Sequence, residues 1–158
     1  DWIEACNLAD ALMFWPKLEL LDTELDCIDY WNNFLNIGPV VREKRLKEAK
    51  FLVDKSFTFE LNGKKIMIVS GSKVSDCTEF MDSSYDLLIG FSFIVENDKQ
   101  KMLLSLQSDN KFDCANFAKT LGGGGHTNAA GCSIHLHCGD TQPYELIQEI
   151  LRYRFEKF

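Results

Sequence analysis

Four consecutive glycines, Gly122 to Gly125, constrain the fold of this chain more than any other feature, and His126 follows them directly. Glycine loses more backbone entropy on folding than other residues, so a domain keeps four in a row only where side chains would obstruct something. The usual reason is a backbone that passes close to a ligand, because the N–H groups of such a loop can surround an anion. Imidazole adds a donor that is charged or neutral near pH 7. The run therefore predicts a binding site for an anion such as phosphate.

Two simpler explanations apply to part of the run. Gly122 falls where a predicted helix ends, and a single glycine there would be an ordinary helix cap. Flexible linkers are also rich in glycine, but they usually contain serine and lie between domains. Neither explanation accounts for all four glycines together with His126. The run also differs from the P-loop, because no lysine follows it in register, and from the dinucleotide loop, because a helix precedes it.

The net charge of −7 is concentrated at one end of the 158-residue chain. Residues 1–35 hold eight acidic residues and one lysine, and the remainder is neutral. A protein that holds long duplex DNA needs a net basic face, so a short phosphorylated ligand fits this composition better. No apolar run approaches the roughly 18 residues of a membrane span, and no signal peptide is visible. We therefore expect a cytoplasmic protein without a membrane partner.

Six cysteines are spread along the chain without a C-x-x-C pair, which excludes zinc knuckles and zinc ribbons. An even number permits three disulfides, but a chain of this length buries enough surface to fold without them. We favour scattered, buried thiols in a cytosolic protein. The sequence also begins at Asp1 without a methionine, so we expect a fragment of a longer protein.

Hydrophobic patterning predicts an α/β (α+β) fold, in which a mixed sheet is flanked by helices and preceded by a helical connector segment. Helical pieces are expected over residues 3–14 and 17–35. Ile37-Gly38-Pro39 predicts a break in the helix, and with it a boundary between a segment of residues 1–37 and a domain of residues 38–158. The other predicted elements are helices over 40–56, 75–83, 112–121 and 143–155, a hairpin of strands 57–61 and 65–70 about Asn62-Gly63, and strands over 101–106, 131–138 and, buried on both faces, 86–95.

A family resemblance is carried by residues 105–131, which read SLQSDNKFDCANFAKTLGGGGHTNAAG. They resemble the C-terminal, substrate-binding domain that accompanies the DHH phosphoesterase domain in RecJ-type exonucleases, nanoRNases and cyclic dinucleotide phosphodiesterases. The shared GGGH motif stands at residues 123–126, and the Ala-Ala-Gly step stands at residues 129–131. Upstream, NGKKIMIVSGS and YDLLIGFSFI look like the first and second core strands of that domain. Residues 1–35 look like the tail of a DHH catalytic domain or its connector.

The resemblance implies that the glycine loop and its histidine hold a substrate phosphate. His126 would donate to the phosphate beside the N–H groups of Gly123 to Gly125. Ser105 to Ser108 occupy the S-L-R-S strand of the family, with Gln107 in place of arginine, so hydrogen bonding is kept and the charge is lost. The expected substrate-binding residues are Ser105, Gln107, Gly122, Gly123, Gly124, Gly125, His126 and Asn128.

The catalytic half of the family holds two divalent metals with clustered Asp and His side chains, including an Asp-His-His triplet, and such ions activate water. This chain contains no Asp-His-His triplet. The resemblance therefore implies that manganese and the catalytic residues belong to a DHH catalytic domain in the same or another chain, and no catalytic or metal-binding residue is expected here.

The leading hypothesis is a nucleotide-phosphate-binding domain of a DHH-family phosphoesterase that hydrolyses short oligonucleotides or cyclic dinucleotides. Such a domain would not be competent alone, and a homodimer is allowed. The alternative is a stand-alone, non-catalytic module that binds or senses a nucleotide.

His135 and His137 form a second pattern that could carry chemistry. On a strand they share a face with Ser133, while Cys132 and Ile134 lie on the other face. Two histidines on one face can chelate a metal. Because no third ligand accompanies them in the sequence, a half-exposed strand is the simpler interpretation.

Overall fold

The computed structural model describes residues 27–71, 74–96, 99–136 and 142–155, and it describes only the backbone of residues 27–35 and 155. The helix predicted over residues 3–14, and the part of the helical segment predicted over 17–35 that precedes residue 27, lie outside this description. Contacts divide the chain into two compact units, Asp1–Glu48 and Ala49–Phe158. The boundary predicted between residues 37 and 38 stays a prediction.

The first described element is one long helix, α1, over Cys27–Asp54. The break predicted at Gly38-Pro39 is therefore wrong, because Pro39 lies inside the helix. A proline in a helix interior costs about 3 kcal/mol, but each further helical residue adds a backbone hydrogen bond once the helix is nucleated. The segment after Pro39 is also rich in i,i+4 ion pairs, such as Lys47–Glu43 at 2.5 Å. Local propensity at two residues is outweighed by the helix on either side of them.

The elements after α1 alternate between strands and short helices. They are strands β1 (Phe57–Leu61) and β2 (Lys64–Ser70), a 3₁₀ helix (Ser75–Phe80), strands β3 (Leu87–Glu96) and β4 (Lys99–Gln107), helix α2 (Cys114–Thr120), strands β5 (Gly124–His126) and β6 (Ala129–His135), and helix α3 (Pro143–Phe155).

The six strands form one mixed sheet in the order β1-β2-β3-β4-β6-β5. Strands β2 and β3 are parallel, and every other neighbouring pair is antiparallel. The predicted α+β fold is therefore confirmed. The predicted hairpin turn is also confirmed, because Asn62 and Gly63 both have positive φ, 51° and 72°, as a tight two-residue turn requires.

Different helices pack on the two faces of the sheet. One face carries Ile66, Ile89 and Leu106 and packs against Phe117 of α2 and Ile147 of α3. We call this the helix-covered face. On the opposite face, the described buried cluster lies over β2 and the start of β3, where Met67, Val69 and Leu88 pack with Ala49 of α1, Val74 and Cys77. The rest of the opposite face, over β4, β6 and β5, is where the site residues lie.

Strand β3 departs from its prediction. Leu87 to Phe91 are buried as expected, but Phe93, Ile94 and Val95 are exposed. The reason is that β2 ends at Ser70, opposite Phe91, while β3 continues to Glu96.

No helix among the described residues is both long and apolar enough to cross a membrane.

The described cysteines confirm the prediction of buried thiols, since Cys77, Cys114 and Cys132 are buried and free. Burial raises the pKa of the Cys77 thiol. Burial also raises the pKa values of Cys114 and Cys132 to about 11. Because only a thiolate is strongly nucleophilic, these three thiols are chemically inert at neutral pH.

We expect the three buried cysteines, Cys77, Cys114 and Cys132, to react slowly with a thiol-specific reagent at pH 8 in the folded protein and rapidly in denaturant. Because an unfolded thiol ionises near pH 8.5 and two folded thiols near pH 11, the free energy of unfolding should also fall as the pH rises between these values. Chemical unfolding at several alkaline pH values measures this decline. Equally fast labelling of every thiol in the native protein would contradict the buried positions.

Candidate functional site

The glycine run is not a simple loop. Gly122 and Gly123 finish helix α2, and Gly124 to His126 form the short edge strand β5. Strand β5 pairs with β6 through a two-residue turn at Thr127 and Asn128. The predicted open loop is therefore wrong for half of the run, because sheet pairing with β6 orders it.

The first two glycines are used by the helix. The N–H of Gly122 donates to Lys119 O at 3.1 Å, and the N–H of Gly123 donates to Ala118 O at 2.8 Å. Together with a φ of 76° at Gly122, these bonds form a Schellman motif, the common helix ending that needs glycine. The helix-cap explanation therefore holds for Gly122. The N–H of Gly123, which was expected to face a ligand, is already bonded.

Gly123, which also ends the helix, and Gly125 are required by close packing of the run against β6. A Cβ atom on Gly123 would lie 2.1 Å from Gly131 O and 2.5 Å from Cys132 Cβ. A Cβ atom on Gly125 would lie 2.5 Å from Ala129 O, and Gly125 also has a φ of 146°. Distances this short cannot be accommodated without moving the strands. Tertiary packing thus explains a large part of the run without any ligand.

Gly124 is different from its three neighbours. A Cβ atom there would meet nothing within 4 Å, and its φ lies outside the left-handed region. Within the described chain, no contact explains why this residue is glycine. Because alternate residues of a strand point to the same face, the open space at Gly124 and the side chain of His126 lie on the same side of the sheet.

The turn that carries His126 is fixed at both of its residues. Thr127 O accepts from the N–H of Cys114 at 2.8 Å, and Asn128 O accepts from the N–H of Ser108 at 2.9 Å. The hydroxyl of Ser108 donates to Asp86 O at 2.7 Å and accepts from the N–H of Phe112 at 3.0 Å. The hairpin is therefore tied to the start of α2 and to the end of β4. His126 is exposed, but the backbone beneath it is ordered.

The strand register gathers the predicted binding residues on one face. His126 pairs with Ala129, which pairs with Gln107 of β4. Two residues further along the strands, Gly124 pairs with Gly131, which pairs with Ser105. Directly paired residues point to the same face of a sheet. His126, Gly124, Gln107 and Ser105 therefore share one surface, which we call the open face.

The remaining predicted residues lie outside the open face as defined by the register. Asn128 is exposed in the turn, and Gly122 lies at the end of α2, which packs on the helix-covered face. Sequence reasoning missed three small residues on the open face, Ala129, Gly131 and Ser133, which keep it flat between β5 and β4. Their signal was present in the alternation of small residues after residue 128. It becomes visible only when the strand and its register are known.

His135, at the end of β6, fits the simpler interpretation. Ser133 and His135 are exposed and Cys132 is buried, so the predicted alternation is confirmed, while His137 lies outside the described residues. In the described ranges, no three side chains of His, Cys, Asp or Glu converge as metal ligands would. The divalent metals implied by the resemblance therefore find no fitting set of ligands in this part of the chain.

A family model described as the DHHA1 domain matches residues 61–155, more than half of the chain. An uncharacterized protein from Helicobacter pylori G27 is 16% identical, with a TM-score of 0.43, over 80% of this chain and 34% of that one. A pGpG-specific phosphodiesterase from Vibrio cholerae is 9% identical, with a TM-score of 0.49, over 78% and 43%. An exopolyphosphatase-related protein from Bacteroides fragilis is 16% identical, with a TM-score of 0.46, over 85% and 44%.

This chain thus spans less than half the length of each of these three solved structures. No curated protein sequence matches it.

Alanine substitutions at Gly123 and Gly124 should have opposite consequences for folding. We expect Gly123→Ala to lower the free energy of unfolding by roughly 1–3 kcal/mol or more, because its methyl group overlaps the backbone of β6. Gly124→Ala should change it by less than about 0.5 kcal/mol, as most surface substitutions do. Urea denaturation followed by circular dichroism measures both. Equal destabilisation by the two variants would contradict the distinct role of Gly124.

Proposed function

Since the chain belongs to the DHHA1 domain family, which is associated with DHH-family phosphoesterases, we propose that it binds the substrate phosphate for such an enzyme. The substrate would be a short oligonucleotide or a cyclic dinucleotide. The reaction would be metal-dependent hydrolysis of a phosphodiester, performed with a DHH catalytic domain in the same or another chain. We place this activity in the cytoplasm.

The observation that carries the proposal is that Gly124 and His126 lie two residues apart on the same face of β5. Gly124 has open space where a side chain would stand, and His126 projects from the same face two residues later. A ligand that contacts the backbone at Gly124 would account for a glycine that the fold does not require. The imidazole of His126 would then donate to an anionic oxygen of that ligand.

The edge of the sheet supplies a further donor. Across a two-residue turn, His126 and Ala129 form a hydrogen-bonded pair, so alternation turns the N–H and C=O of Gly125 away from β6. Strand β5 is the outermost of the described strands at this end of the sheet. The N–H of Gly125 therefore points outward beside His126. One imidazole and one backbone N–H suit a single phosphate group.

The neighbouring residues of the open face favour a nucleotide over a simple polyphosphate. Ser105 and Gln107 are half-buried and uncharged, and Asn128 is exposed at the turn. Hydroxyl and amide groups can donate to or accept from a sugar or a base edge. A polyphosphate would instead require several cations. Gln107 keeps two donors and an acceptor but lacks the charge that an arginine would provide.

In this proposal the chain contributes positioning. Two divalent ions held by the catalytic domain would activate water and neutralise the developing charge. Holding one phosphate so that the scissile bond reaches those ions can contribute several kcal/mol toward the barrier. The alternative, a stand-alone nucleotide-binding or sensing module, is favoured by the uncharged Gln107.

We expect His126→Ala to weaken binding of di- to pentanucleotides by roughly 10- to 100-fold, the effect of losing one hydrogen bond to a charged group. Isothermal titration calorimetry measures the dissociation constant. His135→Ala is the matched control, because His135 is an exposed histidine of the same sheet, six residues along β6 from the partner of His126. Equal affinities of wild type and His126→Ala would refute the assignment.

Gly124→Ala should also weaken binding, by about 10-fold or more, because its methyl group occupies the space assigned to the ligand. The fold is expected to survive, so the loss should appear in calorimetry without a change in thermal stability. Unchanged affinity in this variant would remove the reason for the glycine.

Incubation of the chain with oligonucleotides and manganese separates the enzyme from the binding module only when a DHH catalytic domain is added. Hydrolysis that requires both parts supports the first candidate, and binding without hydrolysis in their mixture supports the second. Turnover by the 158-residue chain alone would contradict both.

A further inference from the structure

Among the described strands, the outer half of β3 has a neighbour on only one side. Strand β2 pairs with β3 from Leu87 to Phe91 and then ends, whereas β4 pairs with β3 as far as Glu96. Among the described residues, no strand lies beside Ser92–Glu96 on the side away from β4. We call this segment the open β3 edge.

The open β3 edge is apolar as well as unpaired. Phe93, Ile94 and Val95 are consecutive and have exposed fractions of 52%, 38% and 71%. Natural sheets usually protect an edge with charged residues, proline or a bulge, because unpaired strands associate. None of these devices stands between Ser92 and Val95. An edge of this kind is suited to receive another strand.

The backbone groups that would receive it can be identified. Phe91 O accepts from the N–H of Gly71 at 2.7 Å, so Phe91 directs its polar groups toward the β2 side. Alternate residues of a strand direct them to the same side. The N–H and C=O groups of Phe93 and Val95 therefore point out of the sheet. Those of Ser92 and Ile94 point toward β4.

We propose that the partner of the open β3 edge is the same edge of a second copy of this chain. The two strands would run antiparallel, with Ile94 facing Ile94 of the second copy across a two-fold axis. Phe93 would then face Val95 of the second copy, and the reverse. These two residue pairs would exchange four hydrogen bonds, which satisfies every outward-pointing group of Phe93 and Val95.

The register of this pairing is set by the molecule itself. Centring the axis on Phe93 would place Val95 of the second copy against Phe91, whose carbonyl already accepts from Gly71. Centring it on Val95 would place Phe93 opposite residue 97 of the second copy, which lies beyond the described end of β3. Only the register about Ile94 uses all the outward groups of both copies.

Side chains also match in this register. Glu96 would lie opposite Ser92 of the second copy and not opposite another carboxylate, so no like charges meet. Glu96 is already paired with Lys101 of its own chain. On the helix-covered face, the Phe93 ring packs edge-on against the Phe91 ring, with 5.8 Å between the ring centroids. The Phe91 ring packs in the same way against the Tyr144 ring, with 5.3 Å between the centroids. Val95 of the second copy would extend this aromatic cluster.

The two-fold axis would be perpendicular to the sheet, so the two sheets join into one and both open faces lie on the same side. A short strand pair buries a small area, and small interfaces are weak. We therefore expect a dimer whose population depends on concentration in the micromolar range or above. This association does not depend on the proposed ligand.

Sedimentation velocity over a range of concentrations tests the proposal with three proteins: wild type, Val95→Pro and Val95→Thr. Proline removes an N–H that points away from β4, so the β3–β4 pairing should remain. We expect Val95→Pro to raise the dimer dissociation constant about 10-fold or more, since two of four hydrogen bonds are lost. Val95→Thr keeps the N–H and should still form dimers. Circular dichroism and thermal unfolding verify the fold.

A cysteine at the axis gives a second test. Residues facing each other in a non-hydrogen-bonded antiparallel pair have Cα atoms about 4.5 Å apart, within the range of a disulfide. Under mild oxidation, Ile94→Cys should form a covalent dimer through residue 94, identified by peptide mass spectrometry. Val95→Cys is the control, because it faces Phe93 of the second copy.

Monomeric wild type at every concentration would overturn the proposal. A dimer that Val95→Pro leaves intact and Ile94→Cys does not cross-link would overturn it as well, because the copies would then associate elsewhere.

Discussion

The hydrogen bonds between helix α2 and the β5–β6 hairpin are the constraint on which the candidate site depends. At one end of the helix, Ala118 O binds the N–H of Gly123, and at the other end the N–H of Cys114 binds Thr127 O. A helix of seven residues thus holds the hairpin at both of its ends. Its Phe117 is fully buried against the sheet. The position of His126 is therefore set by core packing, transmitted through backbone bonds.

Much of this arrangement could be read from local sequence. Asn62-Gly63 specified a hairpin because both residues tolerate positive φ, and Pro143–Phe155 was predicted with its observed bounds. The motif residues placed the chain in its family. In each case the determining contacts lie within a few residues of one another along the chain.

The predictions that were wrong concern residues whose structure is determined by contacts beyond their immediate sequence. Gly123 and Gly125 are glycines because Gly131 and Ala129 lie against them, and that approach exists only after β5 has paired with β6. Gly38-Pro39 remains helical because of the long helix around it. The exposure of Phe93 follows from the length of a neighbouring strand. Each of these depends on contacts or lengths that a local pattern does not contain.

The fixed turn at Thr127 and Asn128 has a consequence for the thermodynamics of recognition. Both carbonyls are bonded to the rest of the domain before any ligand arrives. A loop that becomes ordered only on binding offsets part of its contact energy with lost conformational entropy. Here that loss is largely confined to the imidazole of His126. A ligand that makes few contacts would therefore lose little of its binding free energy to the ordering of this turn.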